Sequence, residues 1–208
     1  MFDAHTLGLF LAASVLLALT PGPNWLYLLS RTLCQGRRAG LVSLVGTTSG
    51  VAVHMFAAAL GLTALLAAVP VAFDALRYAG AAYLLWLAWT TVRGAGFTFA
   101  PRALPAAPDR VLLRDGLMSG ILNPKVALFY LALFPQFVDP ARGDVLAQSV
   151  VLGLIQVGIA IVIDGALVLV AGAVAARLGR HPKWLAVQRW ALGGAFGALA
   201  GWLALDRR

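Results

Sequence analysis

Thr20-Pro21-Gly22-Pro23-Asn24 and Asn123-Pro124-Lys125 decide how this chain folds. Each lies inside a stretch apolar enough to span a bilayer, and each breaks a helix. A proline lacks an amide hydrogen, and its ring collides with the carbonyl four residues earlier. Pro21 and Pro23 are therefore expected to free the carbonyls of Leu17 and Leu19, with Gly22 between them tolerating unusual backbone angles. Pro21 and Pro124 stand 103 residues apart, and at the same offset Tyr27 matches Tyr130, Gly40 matches Gly143 and Gly50 matches Gly153. Unwound backbone is tolerated at membrane depth only where it is buried in protein or lines a watery cavity. Broken helices at corresponding points of two halves are a common way to build a polar site near the membrane midplane.

Composition agrees with a membrane protein. Of 208 residues, 61% are hydrophobic and only 12% charged, against about 25% charged in a soluble domain. Mean hydropathy is +0.87. Residues 6–30 and 39–73 contain no Asp, Glu, Lys or Arg, and a spanning helix needs roughly 20 apolar residues. Further windows follow at 78–92, 116–138 (interrupted only by Lys125), 145–176 (interrupted only by Asp164) and 190–205. The chain reads as an all-α integral membrane protein of six transmembrane helices, arranged as a 3+3 inverted repeat with helices 1 and 4 interrupted. Its units are residues 1–93, a Pro- and Gly-containing cytoplasmic linker at 94–113, and residues 114–208. The last helix of each half also matches, Arg77-Tyr78 against Arg189-Trp190.

The net charge of +8 is distributed as a topology signal rather than as a nucleic-acid-binding patch. The loops at 31–38, 93–115 and 177–189 hold eleven basic residues, whereas the alternate set, termini included, holds Arg77, Arg142, Arg207 and Arg208. That bias puts the first set in the cytoplasm and both termini outside, in a bacterial inner membrane. The single cysteine, Cys34, excludes a disulfide within the chain. In helix 2, Gly46, Gly50, His54, Ala57 and Gly61 share one face; in helix 6, Gly193, Gly197 and Gly201 do the same. Such faces allow close helix packing in lipid, within the chain first, and either offers a homodimer contact.

The candidate substrate-binding residues are Thr20, Pro21, Gly22, Pro23 and Asn24 at the first break, and Asn123, Pro124 and Lys125 at the second. Freed carbonyls at the first suit a substrate ammonium. At the second, Asn123 is a good N-cap with Pro124 at the first helical position, and a half-helix opening inside the bundle suits a carboxylate. Lys125 has three candidate roles: contact with a substrate carboxylate, an ion pair with Asp164, or snorkelling to the surface. Asp164 is the only acid well inside a span, and function is the default reading of such a residue. It leads for proton coupling, with His54 as a relay or a packing residue. The three histidines are scattered and no His/Glu pair falls at helical spacing, so no metal and no cofactor is expected.

These residues resemble the lysine-exporter/threonine-resistance (LysE/RhtB-type) family of bacterial amino-acid efflux proteins. Thr20-Pro21-Gly22-Pro23-Asn24, Gln35-Gly36-Arg37-Arg38-Ala39-Gly40 and Gly46-x-x-x-Gly50-x-x-Val53-His54 look like its first signature. Gly120-x-x-Asn123-Pro124-Lys125-x-x-x-Phe129, followed by Phe134-Pro135-Gln136-Phe137, looks like the second. The resemblance implies about six helices and export of amino acids or their derivatives, driven by protons, with Asp164 resembling an acid of the fifth helix. Where the family often carries an aromatic two turns later, this chain reads Leu169-Val170-Ala171, so pocket shape does not carry over. One interior acid and one interior base favour a neutral substrate of homoserine, threonine or leucine type. Two alternatives remain. An exporter of inorganic or metal ions would need clustered carboxylates or histidines within the spans, and a membrane-embedded enzyme would have to bring Asp164, His54 and Lys125 together.

Overall fold

A computed structural model describes residues 2–68 and 104–171, the backbone alone over 63–68, together with residue 173 and some of the positions in 78–93 and 190–201. Every element among the described residues is helical: α1 (Ala4–Leu19), α2 (Pro23–Gln35), α3 (Arg37–Ala68), α4 (Asp109–Ile121), α5 (Pro124–Leu128) and α6 (Val145–Leu169). The third and sixth sequence windows are described only at some of their positions, and the Arg77 and Arg189 match and the linker from 94 to 103 lie outside the described residues.

Both interruptions form. The chain bends by 49° between α1 and α2 and by 43° between α4 and the segment Pro124–Phe137. Residues Arg37–Leu62 and Val145–Leu169 are each long and apolar enough to cross a membrane unaided; counting each bent pair as one span brings the total to four. Their outer faces are apolar too: Val45, Phe56, Leu60, Leu154 and Val162 are all exposed. A helix apolar on every side is stable in lipid, where no polar stripe is required.

Two departures from the sequence reading follow from local chemistry. α4 starts at Asp109, inside the stretch expected to be linker, with Pro108 at the N-cap and the Asp109 carboxylate in the first turn. That placement suits the positive end of a helix. Second, the helix opened by Pro124 is not regular. After five residues it widens into a π-helical turn, Phe129–Leu133, and tightens into a 3₁₀ turn, Phe134–Phe137. Pro135 explains the change, since it cannot donate to Leu131 and crowds that carbonyl. The widened turn brings Phe129 and Tyr130 inside, and Phe10 of α1 meets Phe137 edge-on at 5.2 Å between ring centroids.

Glycines set the closest helix approach. Gly46 and Gly50 of α3 face Gly116 and Gly120 of α4, backbone against backbone. A Cβ on Gly120 would lie 2.5 Å from the Thr47 carbonyl oxygen and 2.8 Å from the Gly50 Cα, and one on Gly50 would lie 2.6 Å from the Leu117 oxygen. The helix 2 stripe therefore packs within the chain over this stretch. Gly193 also meets its own chain, at the Ala88 carbonyl, whereas positions 61, 197 and 201 would meet nothing within 4 Å.

Polar groups fasten the ends. α2 stops at Gly36, whose φ of +86° would strain any other residue. Arg31, buried, donates to the Gln35 side chain and the Pro105 carbonyl (both 3.1 Å) and to Asp115 (3.3 Å). Gln35 reaches the Ala107 carbonyl, and Arg38 grips Asp109 with both nitrogens. At the opposite end, Asp3 caps α1 and pairs with Arg142 at 3.0 Å. Hydrogen bonds from the Thr6 backbone and side chain, with Arg142 alongside, hold the Asp3 carboxyl at about 2, well below the usual range. This cap is thus fully ionised at neutral pH and weakens only in strong acid.

The Gly crossing makes a sharp stability prediction. Gly120→Ala should cost about 1–3 kcal/mol, the usual penalty for overpacking, because the methyl meets backbone that cannot swing aside. Gly158→Ala on the open face of α6, where a Cβ meets nothing within 4 Å, should be neutral or mildly stabilising. Thermal unfolding of both variants in detergent checks this; equal midpoints would refute the close crossing.

Candidate functional site

The two breaks converge on one cavity. Its lining comes from the end of α1 (Leu17, Ala18), the start of α2 (Asn24, Trp25), α3 (Val51), the second break (Asn123, Lys125, Val126) and α6 (Gln156, Ala160, Asp164). The free space is about 20 Å³, enough for roughly one water molecule.

At the first break, Thr20 closes α1 in an extended conformation, φ −75° and ψ 120°, and Gly22 is extended as well. The Thr20 carbonyl turns out of the helix ladder, whereas the Gly22 carbonyl accepts from the Leu26 amide at 3.1 Å and opens α2. The Lys125 ammonium, arriving from the second break, donates to the Leu17 oxygen at 2.7 Å and to the Thr20 oxygen at 2.5 Å. The sequence points to Leu17 and Leu19 as the freed pair, standing open to a substrate. The structure instead engages Leu17 and Thr20 and fills both with the protein's own cation. Gly22 sits beside that cation, and a Cβ there would lie 3.4 Å from the Lys125 Cε.

At the second break, the Asn123 Oδ1 accepts from the Lys125 amide at 3.1 Å, the expected N-cap. Asn123 is wholly buried, lines the cavity, and its Nδ2 has no hydrogen-bond partner. A buried amide donor left unpaired costs about 1–3 kcal/mol. The half-helix expected here opens at Pro124 and runs on to Phe137, with its ladder changing from α to π to 3₁₀ on the way.

Asp164 on α6 accepts from the Trp25 indole nitrogen at 2.9 Å and shares the cavity with Lys125. Asn24 accepts from the Ser119 hydroxyl at 3.0 Å, which ties α2 to α4. Gln156 accepts from the Tyr130 hydroxyl at 2.6 Å. Of the residues chosen from sequence, Asn24, Asn123, Lys125 and Asp164 line the cavity, and Thr20 and Gly22 seat the lysine head. Pro21, Pro23 and Pro124 act by breaking the helix; Pro124 is exposed. His54 stands apart from the cavity lining. Its Nε2 lies 2.9 Å from the Ile121 carbonyl, one of the orphan oxygens at the end of α4, and its ring stacks near Tyr130. That is a helix-end role. Trp25 carries no signal in the sequence by itself, since an aromatic in an apolar span is common. Its place directly after Asn24 was the available clue.

Comparison with known proteins places the chain among membrane efflux proteins. Over 86% of its length the chain is 34% identical to an uncharacterized membrane protein of Vibrio cholerae, covering 85% of that protein. A homoserine/homoserine lactone efflux protein of Salmonella typhimurium is 32% identical over 91% of this chain and 89% of its own length. A leucine efflux protein of an Enterobacter species is 35% identical over 62% of each chain. No solved structure matches. The family described as LysE type translocator matches residues 15–207, both helix breaks included, and the chain belongs to that family.

Proposed function

We propose that this protein is a secondary exporter of neutral amino acids or their derivatives, working across a bacterial inner membrane and driven by protons. The observation that carries the reading is the buried, unpartnered Asn123 amide in a cavity that also holds a carbonyl-bound ammonium and an acid. A zwitterion supplies what the cavity lacks. Its carboxylate accepts from Asn123 and its ammonium suits the Leu17 and Thr20 carbonyls. A relative named for leucine efflux supports a neutral amino acid of this size, and one named for homoserine and homoserine lactone efflux supports an amino acid or its derivative.

Asp164 is the coupling group in this reading. It is the acid of the cavity, its carboxylate receives the Trp25 indole, and gain or loss of its proton changes the charge that Lys125 faces. An ionisable side chain at this depth is functional by default. The full architecture is a 3+3 inverted repeat, 1–93 and 114–208, entered from opposite sides. The loop charge bias supports cytoplasmic placement of the linker and external termini.

Three outcomes are expected. In proteoliposomes, a pH gradient should drive net flux of leucine or homoserine; Asp164→Asn should lose that flux while keeping one-for-one exchange of labelled amino acid. Flux that is equal in both proteins removes Asp164 from coupling, and no flux for any amino acid defeats the transport reading. Asn123→Asp keeps the cap oxygen but replaces the free donor with an acceptor. It should weaken amino-acid binding by about tenfold or more, equivalent to ~1.4 kcal/mol, and unchanged affinity would place the carboxylate elsewhere. Reporter tags at residue 105 should read cytoplasm and tags after Arg208 the outside; the reverse pattern overturns the orientation.

A further inference from the structure

Lys125 leaves its own backbone segment, crosses to the other half of the chain and occupies an oxygen pair that the first break exposes. Both of its contacts, 2.7 Å to the Leu17 oxygen and 2.5 Å to the Thr20 oxygen, are those an ammonium makes with carbonyls. A free amino acid's ammonium has the same chemistry. Resting on the reading of this cavity as the amino-acid site, we propose that Lys125 is a tethered stand-in for the substrate's ammonium. It holds the Leu17–Thr20 carbonyls while the cavity is empty, yields them to the arriving α-ammonium, and turns its own charge to the substrate's carboxylate.

Three features support the exchange. The seat fits a cationic head, because Gly22 contributes no side chain and a Cβ there would already touch the Lys125 Cε and Nζ at 3.4 and 3.5 Å. The destination is prepared: Asn123, which lines the cavity, caps the Lys125 amide through its oxygen, while its nitrogen is buried and unpaired. A carboxylate between the Asn123 amide and the displaced ammonium would satisfy both. The lysine side chain is long and unbranched, so its head moves without backbone rearrangement.

The exchange sets specificity through net charge. A zwitterion brings none, and each of its ends replaces or satisfies a group already present. An amine without a carboxylate brings a full positive charge to a site already holding Lys125. A carboxylate without an amine finds Lys125 still engaged with the carbonyls. Uncompensated charge at this depth is expensive. Selection by this exchange therefore favours a ligand with both α-groups free over one with either blocked.

The test measures binding to the purified full chain in detergent by calorimetry, with two sets of ligands: L-leucine, L-leucinamide and 4-methylpentanoate, and L-homoserine, its amide and 4-hydroxybutanoate. The wild type should bind at least one parent amino acid about tenfold or more tightly than either of its half-ligands. In Lys125→Met the carbonyl pair is open and the competing cation gone, so the ratio of amide to parent affinity should rise by about tenfold or more. An amide bound by the wild type as tightly as its parent overturns the proposal, as does an unchanged ratio in Lys125→Met. Should Lys125→Met fail to fold, the wild-type comparison decides alone. Failure of the wild type to bind either parent defeats the cavity reading and this inference with it. Parent binding that is lost in Asn123→Asp, with no discrimination against the amide, defeats this inference only.

Discussion

A carbonyl that loses its helical amide inside a bilayer must find another donor, since leaving it unpaired in hydrocarbon costs several kcal/mol. Here the donor for the first break comes from the second. Pro21 and the extended Thr20 and Gly22 turn two oxygens out of α1, and Lys125 reaches them from just beyond Asn123. The first break presents the Thr20 oxygen and a Leu17 oxygen that the Thr20 amide reaches at 3.3 Å, and the second supplies a cation that shares its cavity with Asp164. Hydrogen bonds to a charged donor contribute about 1.5–3 kcal/mol each, so the contact joins the end of α1 to the start of α5 while Lys125 holds it. The close passage of α3 against α4 at Gly46, Gly50, Gly116 and Gly120 brings the second break to the place where the lysine spans the gap.

Much of this was legible in the sequence because its causes are covalent. Proline cannot donate and glycine has no side chain, so the two bends, the Asn123 cap and the close face of α3 follow from residue type and spacing alone. What the sequence could not give depends on groups far apart in the chain. No local pattern says that Lys125 pairs with oxygens 105 and 108 residues earlier, or that Trp25 holds Asp164 from 139 residues away. His54 shows the same limit. The face it shares packs at Gly46 and Gly50 but is open at Ala57 and Gly61, and its partner, the orphan carbonyl of Ile121, exists only once α4 ends beside α3. The irregular run after Leu128 was readable in principle from Pro135, whose effect was hidden by the uniformly apolar residues around it.

The two ends of the bundle are held differently from its centre. At one end Arg31, Gln35 and Arg38 grip the strand of chain that leads into α4; at the other, Asp3 and Arg142 join the start of α1 to the turn before α6. Exposed ion pairs such as Arg38–Asp109 contribute only about 0–1 kcal/mol each, and they release readily. Arg31 is different because it is buried and has three partners, so opening that end means desolvating or rehydrating a charge.

The cavity has room for roughly one water molecule, yet an amino acid is several times bulkier. On the proposed route, passage of such a solute obliges the helices that line the cavity to draw apart and close again in every cycle. Interhelical glycine contacts resist that dilation, while the modest outer ion pairs permit it. Durability and throughput are consequently opposed in this molecule: tightening the bundle to survive heat or detergent would be expected to slow its turnover.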